Sequence, residues 1–315
     1  MTGGNGRERS SRRRAGERCD APGASEGAFR LREALVPDPD YDARQLLFHS
    51  FSLDAPAYLM KSSAELSSLF HDEGEREERT ADFRRLLSER ASRIPLQQLL
   101  GYTDFFGLRF RVSEAVLSPR QDTEILVEEA LAESAGKHAL DLCTGSGCVG
   151  ISLLYYGEFE SMLLTDLSAP ALRKAEENAE RLLPPEKRAR LFLLRSDLFQ
   201  RISEYEREKG IQGFDLILSN PPYIRRGEIE SLEPEVSEHE PRMALDGGED
   251  GLFFYREIAR EAPKHLRPGG RICLEIGFDE AEEVSALLLS AGFSELSLRR
   301  DLSGKDRVLS GIFRG

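Results

Sequence analysis

Residues 141–150 read Asp141-Leu142-Cys143-Thr144-Gly145-Ser146-Gly147-Cys148-Val149-Gly150. The apolar run 138–142 leads into them and the stretch 147–156 follows, so the glycines stand where a strand turns into a helix. Gly145, Gly147 and Gly150 keep a G-x-G-x-x-G spacing, in which glycine permits a tight turn and lets a ligand approach the backbone at a helix N-terminus. That spacing alone is also what a plain strand-to-helix turn needs. A second feature agrees with the ligand reading. Asp166, 21 residues after Gly145, ends the next apolar run, where a carboxylate can accept both hydroxyls of a ribose; it is equally placed to open a helix before Ser168. The pair point to an adenosine-containing cofactor, NAD(H) or S-adenosylmethionine. Asp141 would repel a pyrophosphate but can pair with an ammonium, which favours S-adenosylmethionine. Ser196-Asp197 is placed to meet the adenine side, although an Asp after a strand is also an ordinary turn residue or cap.

Outward from this loop, short apolar runs alternate with amphipathic stretches. The pattern predicts strands at about 138–142, 161–165, 190–194, 214–219, 271–276, 294–298 and 306–313, with helices at about 120–134, 147–156, 168–182, 250–266 and 279–291. Gly269-Gly270 and Gly292 read as helix-to-strand turns. Such alternation means an α/β domain with a doubly wound, mainly parallel, Rossmann-like sheet, assigned here to 117–315. Before it, 93–116 is rich in Phe and Tyr, with Gly101 and Gly107 as turn residues, and reads as a β-hairpin linker. Residues 29–92 carry apolar side chains at helical spacing, as in Leu46, Leu47 and Phe51, then Leu66, Leu69 and Phe70, then Phe83, Leu86 and Leu87. They form a small helical domain, with the acidic run Asp72–Glu78 as a solvated turn inside it. Residues 1–28 are Arg-, Gly- and Ser-rich with almost no large apolar side chain and read as a disordered basic tail.

The 315-residue chain has 43 Lys+Arg against 56 Asp+Glu, a net charge of −13, which disfavours general binding to a polyanion. No apolar run approaches the roughly 20 residues that span a bilayer, and no secretory h-region is present, so the expected compartment is the cytoplasm. Cys19, Cys143, Cys148 and Cys273 form no CxxC pair and read as reduced, buried thiols. His49, His71, His138, His239 and His265 show no metal-ligand spacing and read as structural or surface residues, so no metal is expected.

The strand at 214–219 runs directly into Asn220-Pro221-Pro222-Tyr223. Two consecutive prolines fix φ and remove two N–H donors, so the neighbouring carbonyls are held outward at little ordering cost. The Asn220 side-chain carbonyl beside a backbone carbonyl makes a two-acceptor fork that matches a planar –NH2 group, and Tyr223 can stack on the group that carries the amine. The candidate chemistry is direct in-line methyl transfer to a conjugated amine nitrogen, an amide or a nucleobase exocyclic amine, without metal or covalent nucleophile.

From about Ile94 to Phe313 the sequence resembles the release-factor glutamine methyltransferases, also called protein-(glutamine-N5) methyltransferases. The resemblance rests on PLQQLLGYTDFFGLRF, SPRQDTEILVE, DLCTGSGCVGISL, TDLSAPALRKAEENA, SDLF, FDLILSNPPYI, EPEVSEHEPRMALDGGEDGLFFYR, GGRICLEIG and KDRVLSGIF, in that order. It implies a protein substrate, the glutamine of a Gly-Gly-Gln loop in a peptide-chain release factor; the two-domain layout leaves recognition of that factor to the 29–92 helices, the part with no role in cofactor binding. It implies cofactor contacts from Cys143, Thr144, Gly145, Ser146, Gly147, Asp166 and Leu198, with Asn220 meeting cofactor and substrate and Asn220 to Tyr223 holding the amide. A monomer without membrane or direct nucleic-acid contact is expected. Three positions depart from the family pattern: Cys143 stands where Gly is common, Leu198 replaces an aromatic found in some members, and Gln121 replaces a common Pro. NPPY alone is shared with adenine methyltransferases, so the alternative function is methylation of an exocyclic adenine amine in nucleic acid. Glu233, Glu235, Glu238 and Glu240 read either as a solvated acidic loop or as a lid facing a basic partner.

Overall fold

Alternate residues of each central strand feed two separate apolar layers, and this fixes the architecture of the larger part of the chain. The computed structural model describes residues 24–54, 56, 72–133 and 138–315. After a hairpin of β1 (Tyr102–Phe105) and β2 (Leu108–Arg111), the strands are β3 (His138–Leu142), β4 (Ser161–Asp166), β5 (Leu191–Arg195), β6 (Phe214–Ser219), β7 (Leu266–Glu275), β8 (Phe293–Arg300) and β9 (Asp306–Phe313). Ala139, Met162, Leu164, Leu216 and Leu218 pack into one layer, and Leu140, Leu142, Leu163 and Ile217 into the other. A sheet buried on both faces needs such near-continuous apolar strands.

The order is β5-β4-β3-β6-β7-β9-β8, with β5 through β7 parallel and β9 antiparallel to both β7 and β8. β3 lies between β4 and β6, so the chain order reverses there, and Leu142 pairs with Ser219 in register. The loops that leave these two strands therefore emerge side by side at the carboxyl edge, the position where doubly wound sheets bind ligands.

The chain divides into two compact units, Met1–Leu96 and Gln97–Gly315. In the first, the described helices are α1 (Ala24–Glu33), α2 (Pro39–Phe51) and α3 (Glu73–Ala91). They bury Leu31, Leu46, Leu47, Phe83, Leu86 and Leu87, and Arg90 Nε pairs with Asp42 Oδ2 at 2.7 Å inside that core. α1 starts at Ala24, inside the stretch read as tail, because its buried side is made of small residues, Gly27 and Ala28, ahead of Leu31. The acidic run is not a turn: Asp72 caps α3 by accepting from Gly74 N at 2.9 Å, and Glu73 to Glu78 form its first turns, where carboxylates suit the helix dipole. The first 23 residues of the tail, Cys19, the spacing at Leu66, Leu69 and Phe70, and His71 lie outside the described residues.

The remaining helices are α4 (Leu96–Leu100), α5 (Glu124–Glu133), α6 (Cys148–Tyr156), α7 (Ala169–Leu182), α8 (Pro185–Arg188), α9 (Ile202–Lys209), α10 (Pro234–Ser237), α11 (Phe253–Glu261) and α12 (Ala281–Ser290). Three expectations need correction. Gly269-Gly270 is not a turn before a strand but an irregularity inside β7, which pairs through Leu266 with Phe214 and resumes at Arg271 opposite Leu216. The helix expected to run to 266 stops at Glu261 and passes into a 3-10 turn, Ala262–Lys264, because Pro263 has no N–H to continue the ladder. α9 was not anticipated: its sequence ISEYEREK is mostly charged, and only Ile202 and Tyr205 face the core.

Candidate active site

The loop after β3 turns through left-handed conformations at Cys143 (φ 56°) and Gly145 (φ 56°), and Gly147 (φ 79°) opens α6. A methyl group added at Gly145 would meet nothing within 4 Å, so the backbone there faces open space. At Gly150 it would lie 2.8 Å from Leu164 Cδ1 and 2.9 Å from Asp141 Oδ2. One glycine thus leaves room for a ligand and the other lets α6 press onto the sheet.

Two carboxylates brace this loop. Buried Asp141 accepts from Thr144 Oγ1 at 2.6 Å and from Gly150 N at 3.1 Å. Burial nevertheless pushes its carboxyl up to about 7, against the pull of those two hydrogen bonds. Asp166 accepts from Gly145 N through Oδ2 at 2.9 Å and from Ser168 N through Oδ1 at 2.8 Å, and burial raises it too. Ser168 itself caps α7 by accepting from Ala171 N, so Asp166 stands just ahead of that helix and braces its entry. Burial pushes the Cys148 thiol up to about 12 and raises Cys143 well above its usual range, which leaves both as neutral thiols and poor nucleophiles.

A cavity of about 470 Å³ opens over the loop. Cys143, Gly145, Asp166, Asp197, Leu198 and Asn220 line it, and Pro222 and the half-exposed Met243 and Phe253 form its outer side. A recess of about 50 Å³ shares Cys143, Gly145 and Asn220 with it and adds Asp141, Thr144 and Ser146. The structure thus brings the sequence-derived residues to one place, except that Gly147, Pro221 and Tyr223 line neither space. The two positions that depart from the family pattern beside the cavity, Cys143 and Leu198 (φ 43°), both hold left-handed backbone without being glycine.

Asn220 follows β6 and faces both spaces. Its Nδ2 donates to Thr123 Oγ1 at 3.3 Å, which turns Oδ1 away as an acceptor. No backbone N–H among the described residues donates to the carbonyl of Asn220 or of Pro221. Tyr223 points elsewhere: its ring packs against the second apolar layer and its hydroxyl donates to Glu275 Oε1 at 3.3 Å. Burial foremost, with the nearby Glu275 charge, raises the Tyr223 phenol above its usual range, so it stays a donor.

Two contributing residues, Asn178 and Glu275, have no role legible in the sequence, and a third, Glu240, takes a place other than the acidic loop expected of it. Asn178, fully buried on α7, donates to Ser146 O at 2.9 Å and exchanges hydrogen bonds with the Arg111 backbone, tying the glycine loop to the end of β2. Glu240 is not part of a solvated acidic loop. It is buried, accepts from Arg120 Nη2 at 2.7 Å and from Ser118 N at 3.3 Å, and so holds the 233–240 segment against the chain that enters α5. Glu275, at the end of β7, is 2% exposed, and burial pushes it up to about 7 against Thr123, Arg307 and Tyr223, which favour its charged form. GGRICLEIG contained Glu275 as a motif, but a charged residue closing an apolar strand was the only local signal of its burial.

An open glycine cradle, two carboxylates beside it and a buried Ser146 hydroxyl without a hydrogen-bond partner suit a ligand with ribose hydroxyls and a cationic amino-acid end. With the strand order and the NPPY loop at the switch point, they define the class: a methyltransferase with a Rossmann-like sheet. Comparison with known proteins narrows this. Residues 25–101 match the family model described as PrmC N-terminal domain, and residues 114–236 match Methyltransferase small domain. The release factor glutamine methyltransferase of Cereibacter sphaeroides is 43% identical over 281 residues, covering 89% of this chain and 94% of that protein. The protein of the same name from Geobacter sulfurreducens is 43% identical over 235 residues, 74% of this chain and 78% of its own length, and that from Agrobacterium fabrum is 37% identical over 288 residues, 89% and 93%. The chain belongs to the release factor glutamine methyltransferase family. Among the described residues no helix is long and apolar enough to cross a membrane.

Proposed function

We propose that the chain transfers a methyl group from S-adenosylmethionine to the side-chain amide nitrogen of the glutamine in the Gly-Gly-Gln loop of a peptide-chain release factor. The observation that carries this reading is the orientation of Asn220, whose Nδ2 is engaged by Thr123 while Oδ1 and the adjacent Pro221 carbonyl remain acceptors. An amide –NH2 donates two hydrogens, and a rigid pair of acceptors satisfies both while holding the nitrogen lone pair out of the amide plane. When bound, S-adenosylmethionine supplies an electrophilic methyl group together with its leaving group. Asp166 would hold the ribose hydroxyls, Asp197 and Leu198 the adenine side, and Asp141 the ammonium, whose positive charge would favour the ionised form of that carboxyl. Cys143, Thr144, Gly145, Ser146 and Gly147 would shape the floor of the site. Pro221 and Pro222 hold the loop in place, and Tyr223 anchors it from behind rather than stacking on the substrate.

A glycine-flanked loop offers little binding area and loses entropy when ordered, so recognition must draw on the body of the release factor. We assign that task to the helical part of the chain, residues 29–92, joined by 93–116 to the catalytic part, 117–315. The enzyme would work as a monomer in the cytoplasm, consistent with the bacterial relatives named for release factors and with the free thiols Cys143 and Cys148. Mass spectrometry of the tryptic Gly-Gly-Gln peptide, after incubation of an intact release factor with the full chain and cofactor, should show one added methyl group on glutamine. A free Gly-Gly-Gln peptide should be a poor substrate. Faster methylation of adenine in single-stranded or duplex DNA than of the release factor would overturn the assignment in favour of the nucleic-acid alternative.

A further inference from the structure

The segment Asp246-Gly247-Gly248-Glu249-Asp250-Gly251 has no task in the reaction as described. In the fold it lies across the exit of the NPPY loop. Ile224 and Asp246 form a parallel bridge, in which Ile224 N donates to Leu245 O at 3.0 Å and Gly247 N to Ile224 O at 2.9 Å. Arg226 N extends the pairing to Gly248 O at 2.8 Å, and the Arg226 side chain meets Asp246 Oδ2 at 3.0 Å and Glu249 Oε1 at 2.6 Å. Asp246 Oδ1 accepts from Gly248 N at 2.9 Å and fixes the turn.

Two glycines let this clasp close. A Cβ added at Gly247 would lie 2.7 Å from Tyr223 Cα and 2.8 Å from both the Tyr223 carbonyl carbon and Gly251 O. All three are backbone atoms, which cannot rotate aside. At Gly251 (φ 83°) a Cβ would meet Tyr223 O at 2.6 Å. Gly247, unlike Gly251, does not hold a left-handed conformation, so its backbone would suit alanine and only the close approach excludes a side chain.

The consequence reaches the acceptors. Ser219 is held in register by Leu142 and Ile224 by the clasp, and the four residues between them include two prolines with fixed φ. Asn220 and Pro221 each precede a proline and are confined as well. A strut with so few free torsions, pinned at both ends, has little slack, so a shift at Tyr223 is passed back to the Pro221 carbonyl. We propose that Gly247 is a positioning residue: by admitting the Asp246–Gly251 segment onto the Tyr223 backbone, it fixes the far end of the NPPY loop and with it the direction of the Asn220 and Pro221 acceptors. The same segment lines the cavity through Asp246 and Gly248, and Gly247 O accepts from Phe253 N at 3.1 Å. The outer wall of the cavity and the acceptor pair are therefore held as one piece.

This inference rests on the reading that Asn220 and Pro221 accept from the substrate amide, and the test separates the two. The full chain acts on intact release factor, and kcat is expressed per cofactor site counted by calorimetric titration, so that unfolded molecules do not enter. Gly247→Ala should lower kcat per site by about tenfold or more, the order expected when a reacting geometry is displaced. Its Kd for S-adenosylmethionine should be nearly unchanged, because the loop after β3 is untouched, and amide hydrogen exchange should quicken at Ile224 and Arg226. A merely structural role would instead reduce the number of cofactor sites and leave the rate of each unchanged. Gly227→Ala, whose added methyl group meets nothing within 4 Å, should keep the wild-type rate. Asp246→Ala, which adds no atom but releases Arg226 and Gly248, should act like Gly247→Ala by a smaller factor, and it decides the matter if Gly247→Ala does not fold. Wild-type kcat per site in the deciding variant, while Asn220→Ala is impaired, would overturn the inference and leave the function standing. A loss confined to cofactor Kd, or an equal loss in Gly227→Ala, would overturn it too. Wild-type kcat in Asn220→Ala would overturn the reading beneath it.

Discussion

The two loops that leave β3 and β6 face each other across one cavity but are stabilised in opposite ways. In the glycine loop, the two bracing carboxylates are satisfied within one strand–helix–strand unit: Asp141 by Thr144 and Gly150, Asp166 by Gly145 and Ser168. The NPPY loop has few donors of its own, because two of its four residues are prolines, and it is held by side chains far away in sequence, Thr123 and Glu275. The difference teaches where each task can be placed. A site that cradles a whole cofactor suits backbone N–H groups, which come with the fold. A site that must leave acceptors free for a reacting amine has to be buttressed from outside the loop, since any local donor would occupy them.

If the halves are separable, damage to each should appear in a different constant. The largest effect is expected at Asn220. Asn220→Ala should lower kcat by a factor of about 100 or more, the scale for losing one preorganised polar group in an active site, while cofactor Kd changes little. Single-turnover measurements near the wild-type rate would show that the fork does not contribute to the chemical step. The next largest effect lies in the other half. Asp166→Ala should weaken cofactor binding by roughly 1.5–3 kcal/mol, the range for hydrogen bonds to a charged group, with kcat at saturating cofactor largely retained. Calorimetric titration with S-adenosylmethionine reads this directly. Unchanged affinity would remove Asp166 from the cofactor site, and an equal loss in kcat would mean that the halves are coupled through the Gly145–Asp166 bond.

The same contrast explains what the sequence made legible. The central strands and helices announce themselves by period, so β3 is expected at 138–142 and found at His138–Leu142, and β6 is expected and found at Phe214–Ser219. The glycine loop and Asp166 are separated by a short span of one strand–helix–strand unit, and a fixed spacing carries that geometry. Thr123, Asn178, Glu240 and Glu275 had no such signal. Each is a single polar residue whose partner stands on another element: Asn178 bonds to Arg111, Glu240 to Arg120, and Glu275 to Tyr223. Spacing along one chain does not encode those pairings; only the packed fold supplies them. The acidic run at 72–78 failed for a different reason: carboxylates in the first turns of a helix have the same composition as a solvated loop, and capping by Asp72 is what distinguishes them.

The smallest effect concerns the one strained position that the glycine loop keeps. Cys143 sits at φ 56°, a region that costs a residue with a Cβ about 1–2 kcal/mol. Replacing it with glycine removes that strain but gives the unfolded chain more freedom, worth roughly 0.5–1 kcal/mol in the opposite direction, and also removes a partly buried side chain. The terms nearly cancel, so Cys143→Gly should stay within about 1 kcal/mol of the parent in urea unfolding, with cofactor affinity equal or slightly higher because one wall of the cavity recedes. Cys143→Val provides the contrast. A β-branched side chain tolerates left-handed backbone worse than cysteine does, so this variant should be less stable than Cys143→Gly by about 1–2 kcal/mol or more. Activity in the glycine variant should persist, since the thiol is neutral and makes no step of the reaction. Equal unfolding midpoints for the valine and glycine variants would mean that residue 143 is free to leave the left-handed region. The loop would then be held by its two carboxylates and by Asn178, and its rigidity would owe nothing to the turn at Cys143.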